Sequence, residues 1–234
     1  MTGNVVYLQP AFVLRQRKYR ETSVILDIFT VDYGRISLLA RGVRKPKSKT
    51  AALLQPFIPL KISFFGSTEL KILTEVEMNW PTINLSGMAL YCGFYINELV
   101  TYFLYSSDPH PEVFASYRQC LISLSDESLI EPILRTFELE LIDAIGFGLQ
   151  FDYDVDNQPI DTNQRYQFQT ELGLIVNGNG PYSGASLKAI KNKDFSHPLV
   201  LSEAKMLMRT VIDNLLQNKP LKSRTVINQV IKHL

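Results

Sequence analysis

Five short segments with strand-like composition follow one another in the first 76 residues, and no helical period separates them. They are rich in β-branched and aromatic side chains, and some alternate polar with apolar residues, as strands that bury one face do. Such a run of short strands predicts a small antiparallel barrel, closed or partly closed, and five is the strand number of the OB-fold. The predicted strands cover residues 5–13, 23–31, 35–39, 57–65 and 69–76.

From about residue 81 the apolar residues recur with the period of helices. The predicted helices cover residues 87–105, 112–124, 129–145, 184–192, 202–216, with Ser202 as N-cap, and 223–233. A hairpin is predicted over 165–170 and 173–177. The predicted fold class is therefore α+β, with an OB-fold barrel over residues 1–80 and a mainly α-helical domain over 81–234. This second domain includes an acidic loop and the small β-hairpin at about 151–180.

Cations cluster around the predicted strands, although the net charge of the chain is only +1. Residues 1–60 hold ten Lys or Arg against three acidic residues, whereas residues 61–180 hold five against seventeen. Like charges repel, so such a cluster favours either a solvated loop or contact with a polyanion such as nucleic acid. The predicted DNA contacts are Arg15, Arg17, Lys18, Arg20, Arg35, Arg41, Arg44, Lys45, Lys47 and Lys49.

Two tyrosines near these cations, Tyr19 and Tyr33, could stack on bases, although half-buried strand positions are the commoner use of tyrosine. Glu98 is polar within an apolar helix, and we interpret it as a buried partner of a cation.

The sequence carries no motif for catalysis, a cofactor or a metal. The three histidines lack metal-ligand spacing, no P-loop lysine follows the glycines near residue 180, and neither cysteine has a neighbouring base. The aspartates of residues 151–162 resemble a calcium loop, but residues 157–159 stand where an EF-hand requires its glycine. We therefore predict a protein that is not an enzyme, with no metal and no cofactor.

Compartment and membrane association follow from two further features. Two cysteines without CxxC spacing, and an N-terminus without a signal-peptide pattern, predict a cytoplasmic protein, associated with the nucleoid if it binds DNA. The apolar run over residues 88–105 is interrupted by Asn97, Glu98 and Thr101, so we predict a buried helix and no membrane partner.

Several short sequence segments, in order along nearly the whole chain, resemble the RecO family. In the first half they are Ala11-Phe12-Val13-Leu14, Glu21-Thr22-Ser23, Leu26-Asp27-Ile28-Phe29-Thr30, Gly34-Arg35, Ala40-Arg41-Gly42-Val43-Arg44 and Leu54-Gln55-Pro56-Phe57. In the second half they are Leu85-Ser86-Gly87, Tyr95-Ile96-Asn97-Glu98-Leu99, Arg135-Thr136-Phe137-Glu138-Leu139 and Lys219-Pro220-Leu221-Lys222-Ser223-Arg224.

The resemblance implies a mediator of DNA repair and recombination with an OB-fold and a helical domain. It implies binding of single- and double-stranded DNA, annealing of complementary strands, and association with RecR in the RecF pathway. It also implies binding to the C-terminal tail of the single-stranded-DNA-binding protein (SSB), so that RecA is loaded onto SSB-coated gaps. Many family members hold zinc with four cysteines, but residues 151–180 contain none, so the chain resembles the metal-free branch.

The resemblance associates Arg135 with the SSB tail, and Lys222 and Arg224 are further candidates. The alternative for Arg135 is a pair of ion pairs on the helix surface with Glu131 and Glu138, at spacings of four and three residues. Two other functions stay open from the residues alone: an OB-fold RNA-binding accessory factor, and an adaptor whose basic ends dock acidic proteins.

Overall fold

The chain forms two compact units, Met1–Glu127 with Thr225–Leu234, and Ser128–Arg224. The computed structural model describes residues 5–46, 48–79, 82–126 and 129–232. The barrel and the first two long helices belong to one unit. The predicted domain boundary at residue 80 stays a prediction.

A closed barrel of five strands makes up the start of the first unit, which confirms the predicted fold class. The strands are β1 (Val5–Tyr19), β2 (Ser23–Thr30), β3 (Gly34–Ala40), β4 (Leu60–Phe65) and β5 (Leu70–Met78). They close in the order β1-β2-β3-β5-β4, with β4 returning to β1. Only the β3–β5 pair is parallel among the barrel strands.

Strand β1 is fifteen residues long and runs six residues past its predicted end at Val13. Its first half pairs with β4 and its second half with β2, and a bulge interrupts each ladder. The sequence did not predict this extension, because the charged residues of the second half break the apolar pattern that is typical of a strand. The barrel is filled by alternate side chains of its strands, including Val13, Leu26, Ile28 and Leu38.

Two helices of the first unit, α2 (Gly87–Phe103) and α3 (Pro111–Ser123), pack against the barrel. The short helix α1 (Lys49–Leu53), which the sequence did not predict, precedes β4. Phe12 of β1 and Phe29 of β2 contact Phe114 and Tyr117 of α3, with ring centroids 5.1–5.8 Å apart. Aromatic burial on this scale contributes strongly to packing, so α3 is fixed to one side of the barrel.

A close backbone approach joins the β2–β3 turn to the segment between α2 and α3. Gly34 has φ +59°, and a Cβ at this position would lie 2.0 Å from the carbonyl oxygen of Asp108. Ser107 donates its N–H to the carbonyl of Arg35 at 2.8 Å. Only glycine gives both the left-handed conformation and the space.

The second unit contains α4 (Ile130–Ile142), a π-helical turn (Asp143–Phe147), β6 (Arg165–Gln169), β7 (Gly173–Val176), β8 (Tyr182–Ser183), α5 (Gly184–Lys191) and α6 (Pro198–Leu215). The hairpin prediction is confirmed by β6 and β7, and β8 adds a third strand in the order β7-β6-β8. The prediction of Ser202 as N-cap is wrong. Helix α6 begins four residues earlier at Pro198, and His197 caps it by accepting the N–H of Leu199 at Nδ1, 3.2 Å away.

The last helix is α7 (Lys222–Lys232). No described helix is long and apolar enough to cross a membrane.

Candidate nucleic-acid interface

The outer face of β1, β2 and β3 has two chemically different halves. Residues directly opposite each other in a ladder share a face. Phe12 lies opposite Phe29, and this aromatic pair is covered by α3. Further along, Arg17 lies opposite Ile25, and Ile25 lies opposite Leu39. The second half of the face therefore offers a cation beside two half-buried aliphatic side chains.

A bulge at Leu14 places the outward-facing residues of β1 before and after it on the same face of the sheet. Val13 pairs with Ile28 and Arg15 pairs with Asp27, so Leu14 is an extra residue with no ladder position. Because alternation resumes one residue later, Arg15, Arg17 and Tyr19 share the outer face with Phe12.

An open groove of about 840 Å³ lies at the end of this face. The turn between β1 and β2 forms one side, and the loop after β3 forms the other. Arg20 and Gly42 both have positive φ, which produces the sharp turns of these two segments. The lining residues are Tyr19, Arg20, Glu21, Thr22, Ser23, Leu39, Arg41, Gly42 and Lys45.

Arg44 ties the two sides of the groove together. Its backbone N–H donates to the carbonyl of Thr22 at 2.9 Å, and its guanidinium donates to the carbonyl of Arg20 at 3.0 Å. The loop after β3 is therefore held at Arg44 against the β1–β2 turn.

The groove cations differ from those of the second unit in their partners. Among the described residues, no carboxylate lies within ion-pair distance of Arg20, Arg41 or Lys45. Arg20 instead lies over the ring of Tyr19, 5.3 Å from its centroid. In the second unit, ion pairs join Lys191 to Asp152, Lys193 to Glu140, and Lys205 to Glu131, at 2.5–2.6 Å. The groove thus holds three cations and one carboxylate, Glu21, and among the described residues none of these cations is in an ion pair.

Other predicted DNA contacts have different surroundings. Arg15 is 62% exposed, but its guanidinium donates to Asp27 at 2.8 and 3.0 Å. Lys18 is exposed and alternates onto the other face of β1. Lys49 begins α1, and Lys47 lies outside the described residues.

Arg35 is bound to the protein itself and does not line the groove. Its guanidinium donates to the carbonyls of Thr101 and Leu104 at 2.5 and 2.6 Å, at the C-terminus of α2. Burial lowers the pKa of Arg35, although the nearby Asp27 opposes this effect. A cation at a helix C-terminus satisfies carbonyls that have no partner within the helix. Arg35 therefore anchors α2 to the barrel.

The two tyrosines also have different positions. Tyr19 lines the groove, where its ring lies beside Arg20. Tyr33 lies in the β2–β3 turn and its ring packs nearly perpendicular to that of Phe64, with centroids 5.5 Å apart. The groove therefore contains only Tyr19 of the two predicted stacking residues.

The residues predicted to bind the SSB tail lie on separate elements of the second unit. Arg135 of α4 pairs with Glu138 at 2.5 Å, which confirms one of the two ion pairs of the alternative, but this pair is buried rather than on the surface, and Glu131 pairs with Lys205 instead. The Arg135 side chain is 7% exposed, and its Nε has no hydrogen-bond partner among the described residues. Arg224 pairs with Asp213 of α6, and Lys222 is exposed at the start of α7.

The acidic loop is organised by hydrogen bonds within the protein. Asp154 accepts the N–H groups of Asp156 and Gln158 at 3.0 and 2.8 Å, and Asp152 pairs with Lys191. Within residues 5–46, 48–79, 82–126 and 129–232, no three Asp, Glu, His or Cys side chains are placed to hold a metal ion.

The sequence did not predict that Asn97 and Tyr117 form hydrogen bonds next to this surface. Both are buried polar side chains on helices, and they reach the Leu14 bulge through hydrogen bonds. A polar residue in an apolar helix was the available signal, since a buried amide needs partners.

These features define a class of protein: an OB-fold barrel with a cationic groove, followed in the chain by a helical unit. Two family models match, Recombination protein O N terminal over residues 1–80 and Recombination protein O C terminal over residues 85–225. The chain belongs to the RecO family.

Individual relatives agree with this membership. The DNA repair protein RecO of Pseudoalteromonas atlantica is 42% identical over 223 residues, which cover 93% of this chain and 92% of the relative. The protein of the same name from Haemophilus influenzae is 40% identical over 228 residues, covering 96% and 97%. That of Mannheimia succiniciproducens is 38% identical over 227 residues, covering 95% and 100%.

The anchoring role of Arg35 predicts a loss of stability without a loss of DNA affinity. Arg35→Met removes two hydrogen bonds from a charged donor, so the free energy of unfolding should fall by at least about 1.5–3 kcal/mol, the typical value of one such bond. Arg118→Met, an exposed change on α3, should cost less than about 0.5 kcal/mol. Denaturant titration measures both variants. If the folded Arg35→Met protein binds DNA more weakly than wild type, Arg35 contacts DNA and the prediction is wrong.

Proposed function

We propose that the chain is a non-enzymatic mediator of DNA repair and recombination that binds single- and double-stranded DNA through the barrel. Membership in the RecO family supports the role in repair and recombination. The observation that carries DNA binding is the groove in which Arg20, Arg41 and Lys45 lie without a carboxylate partner among the described residues.

The groove and the adjoining face suit a flexible polyanion. Lysine and arginine neutralise phosphates and release condensed counterions, which makes binding strong at low salt and weak at high salt. Phosphate contacts do not read sequence, so binding should be nearly independent of sequence. Tyr19 and the aliphatic pair of Ile25 and Leu39 offer apolar surfaces to unstacked bases. A single strand can use both kinds of contact, whereas a duplex presents mainly its phosphates.

Annealing follows from the same electrostatics. Two complementary strands repel each other in solution, and a surface that neutralises part of their charge lowers that repulsion. The chain needs no covalent step for this action, because the strands pair through their own bases. Loading of RecA with RecR onto SSB-coated gaps is proposed from the family resemblance.

The groove predicts a specific change in salt dependence. Arg41→Ala/Lys45→Ala should weaken binding to a single-stranded oligonucleotide. It should also reduce the slope of log affinity against log salt by about 1.4, since each phosphate contact on a single strand contributes about 0.7. Fluorescence anisotropy at several salt concentrations measures both quantities.

The matched control removes two cations that do not line the groove, in Lys71→Ala/Arg118→Ala. This control should bind like wild type. If the groove variant and the control lose affinity equally, the groove is not the binding surface. RNA of equal length serves as competitor, and a preference for RNA would favour an RNA-binding accessory factor, because such a preference indicates recognition of the 2′-hydroxyl groups.

For the SSB tail, we propose contact with Arg135, Lys222 and Arg224 on the basis of the family resemblance. The tail is acidic, and the guanidinium group of arginine has a fork of N–H donors that matches the geometry of a carboxylate. A tail that binds Arg135 must displace Glu138, because the two side chains are paired and buried.

A peptide titration tests this contact. Arg135→Met/Glu138→Gln removes both charges of the buried pair, and so avoids leaving one charge uncompensated. Affinity for an SSB tail peptide should fall about tenfold if Arg135 binds it. The control Lys193→Met/Glu140→Gln removes an exposed ion pair of the same unit and should bind normally. Equal affinities for the two variants would exclude Arg135.

A further inference from the structure

A hydrogen bond from a helix outside the barrel stabilises the bulge at Leu14. In a bulge, the extra residue has no partner in the ladder. The carbonyl of Leu14 instead accepts a hydrogen bond from Asn97 Nδ2 at 3.0 Å, and the bond is buried. Asn97 belongs to α2, so a helix supplies the partner that β2 does not.

Tyr117 of α3 fixes the orientation of that amide. Its hydroxyl donates to Asn97 Oδ1 at 2.7 Å, in a fully buried position. An amide whose oxygen accepts from a tyrosine must present its NH₂ group on the other side, where it faces Leu14. The Tyr117 ring also packs on Phe12 and Phe29, so the hydroxyl is held by a rigid aromatic cluster.

The position of the bulge decides which side chains face outward. If β1 slipped by one residue beyond Val13, Leu14 would lie opposite Asp27 and Arg15 opposite Leu26. Leu26 is fully buried inside the barrel. Because the side-chain period of a strand is two, a slip of one residue moves every side chain after Val13 to the other face. Arg17 and Tyr19 would then leave the outer face.

We propose that Asn97 and Tyr117 are positioning residues for nucleic-acid binding: their buried hydrogen bonds hold the Leu14 bulge and thereby keep Arg15, Arg17 and Tyr19 on the binding face. The inference rests on the proposed function, since it concerns the same surface. It assigns α2 and α3 a role beyond packing, because these helices set the register of the strand that carries the cations.

The test combines DNA affinity with a direct readout of register. Tyr117→Phe removes the hydroxyl while keeping the ring, and Asn97→Leu removes the donor to Leu14. Both should raise the dissociation constant for a single-stranded oligonucleotide at least threefold and flatten its salt dependence toward that of Arg15→Ala/Arg17→Ala. Tyr95→Phe is the matched control, because it removes a buried tyrosine hydroxyl from α2.

Pairs of introduced cysteines report the register. In the observed register Arg17 lies opposite Ile25, so Arg17→Cys/Ile25→Cys should form a disulfide in otherwise wild-type protein. In the slipped register residue 16 lies opposite residue 25, so Gln16→Cys/Ile25→Cys should form a disulfide only when Tyr117→Phe or Asn97→Leu is also present.

The outcomes separate this inference from the proposed function. Folded Tyr117→Phe protein with wild-type affinity would overturn the positioning role. Weaker binding in a variant that forms only the 17–25 disulfide would also overturn it. The register of β1 would then be unchanged, so the loss of affinity would have another cause, such as lower stability. Failure of the wild-type protein to bind DNA, or of Arg41→Ala/Lys45→Ala to weaken it, would instead contradict the proposed function. If Asn97→Leu does not fold, Tyr117→Phe carries the test.

Discussion

The pairing of β1 with two different strands is the constraint on which the first unit depends. The first half of β1 pairs with β4, which closes the barrel, and the second half pairs with β2. A straight strand of fifteen residues could not follow the curve of so small a barrel, and bulges provide the local bend and twist. The same strand thus closes the core, supports α3 through Phe12, and carries cations beyond the region that α3 covers.

The distribution of ion pairs matters more for the proposed activity than the net charge of +1. In the second unit, carboxylates neutralise many cations at the surface, and pairs of this kind contribute little to stability. In the groove, Arg44 uses its hydrogen bonds to join two loops, while Arg41 and Lys45 remain accessible to a ligand. On the outer face of the first unit Asp27 pairs with Arg15, whereas among the described residues the groove cations Arg41 and Lys45 have no carboxylate within ion-pair distance.

The sequence predicted the barrel well, because alternation of inward and outward residues is a local signal. It also predicted the positions of most helices, because the helical period of apolar residues is likewise a local signal. It could not predict the length of β1, since Arg15, Arg17 and Lys18 replace the apolar residues that mark a strand. Nor could it separate Arg35 from the groove cations, because the partners of Arg35 lie more than sixty residues away in α2.

Two further differences between the predicted and the observed structure concern the Arg135–Glu138 pair and the start of α6. The spacing of Arg135 and Glu138 correctly indicated a pair, but helix spacing does not reveal which face of α4 is covered. His197 as a cap was missed because serine is the commoner N-cap and Ser202 stood nearby.

We propose that nucleic acid lies along the outer face of β1, β2 and β3 and in the adjoining groove. Ultraviolet cross-linking of a thymidine oligonucleotide, followed by mass spectrometry of the linked peptides, tests it most directly. We expect cross-links within residues 15–25 and 39–46, whereas cross-links confined to residues 130–224 would show that nucleic acid binds elsewhere.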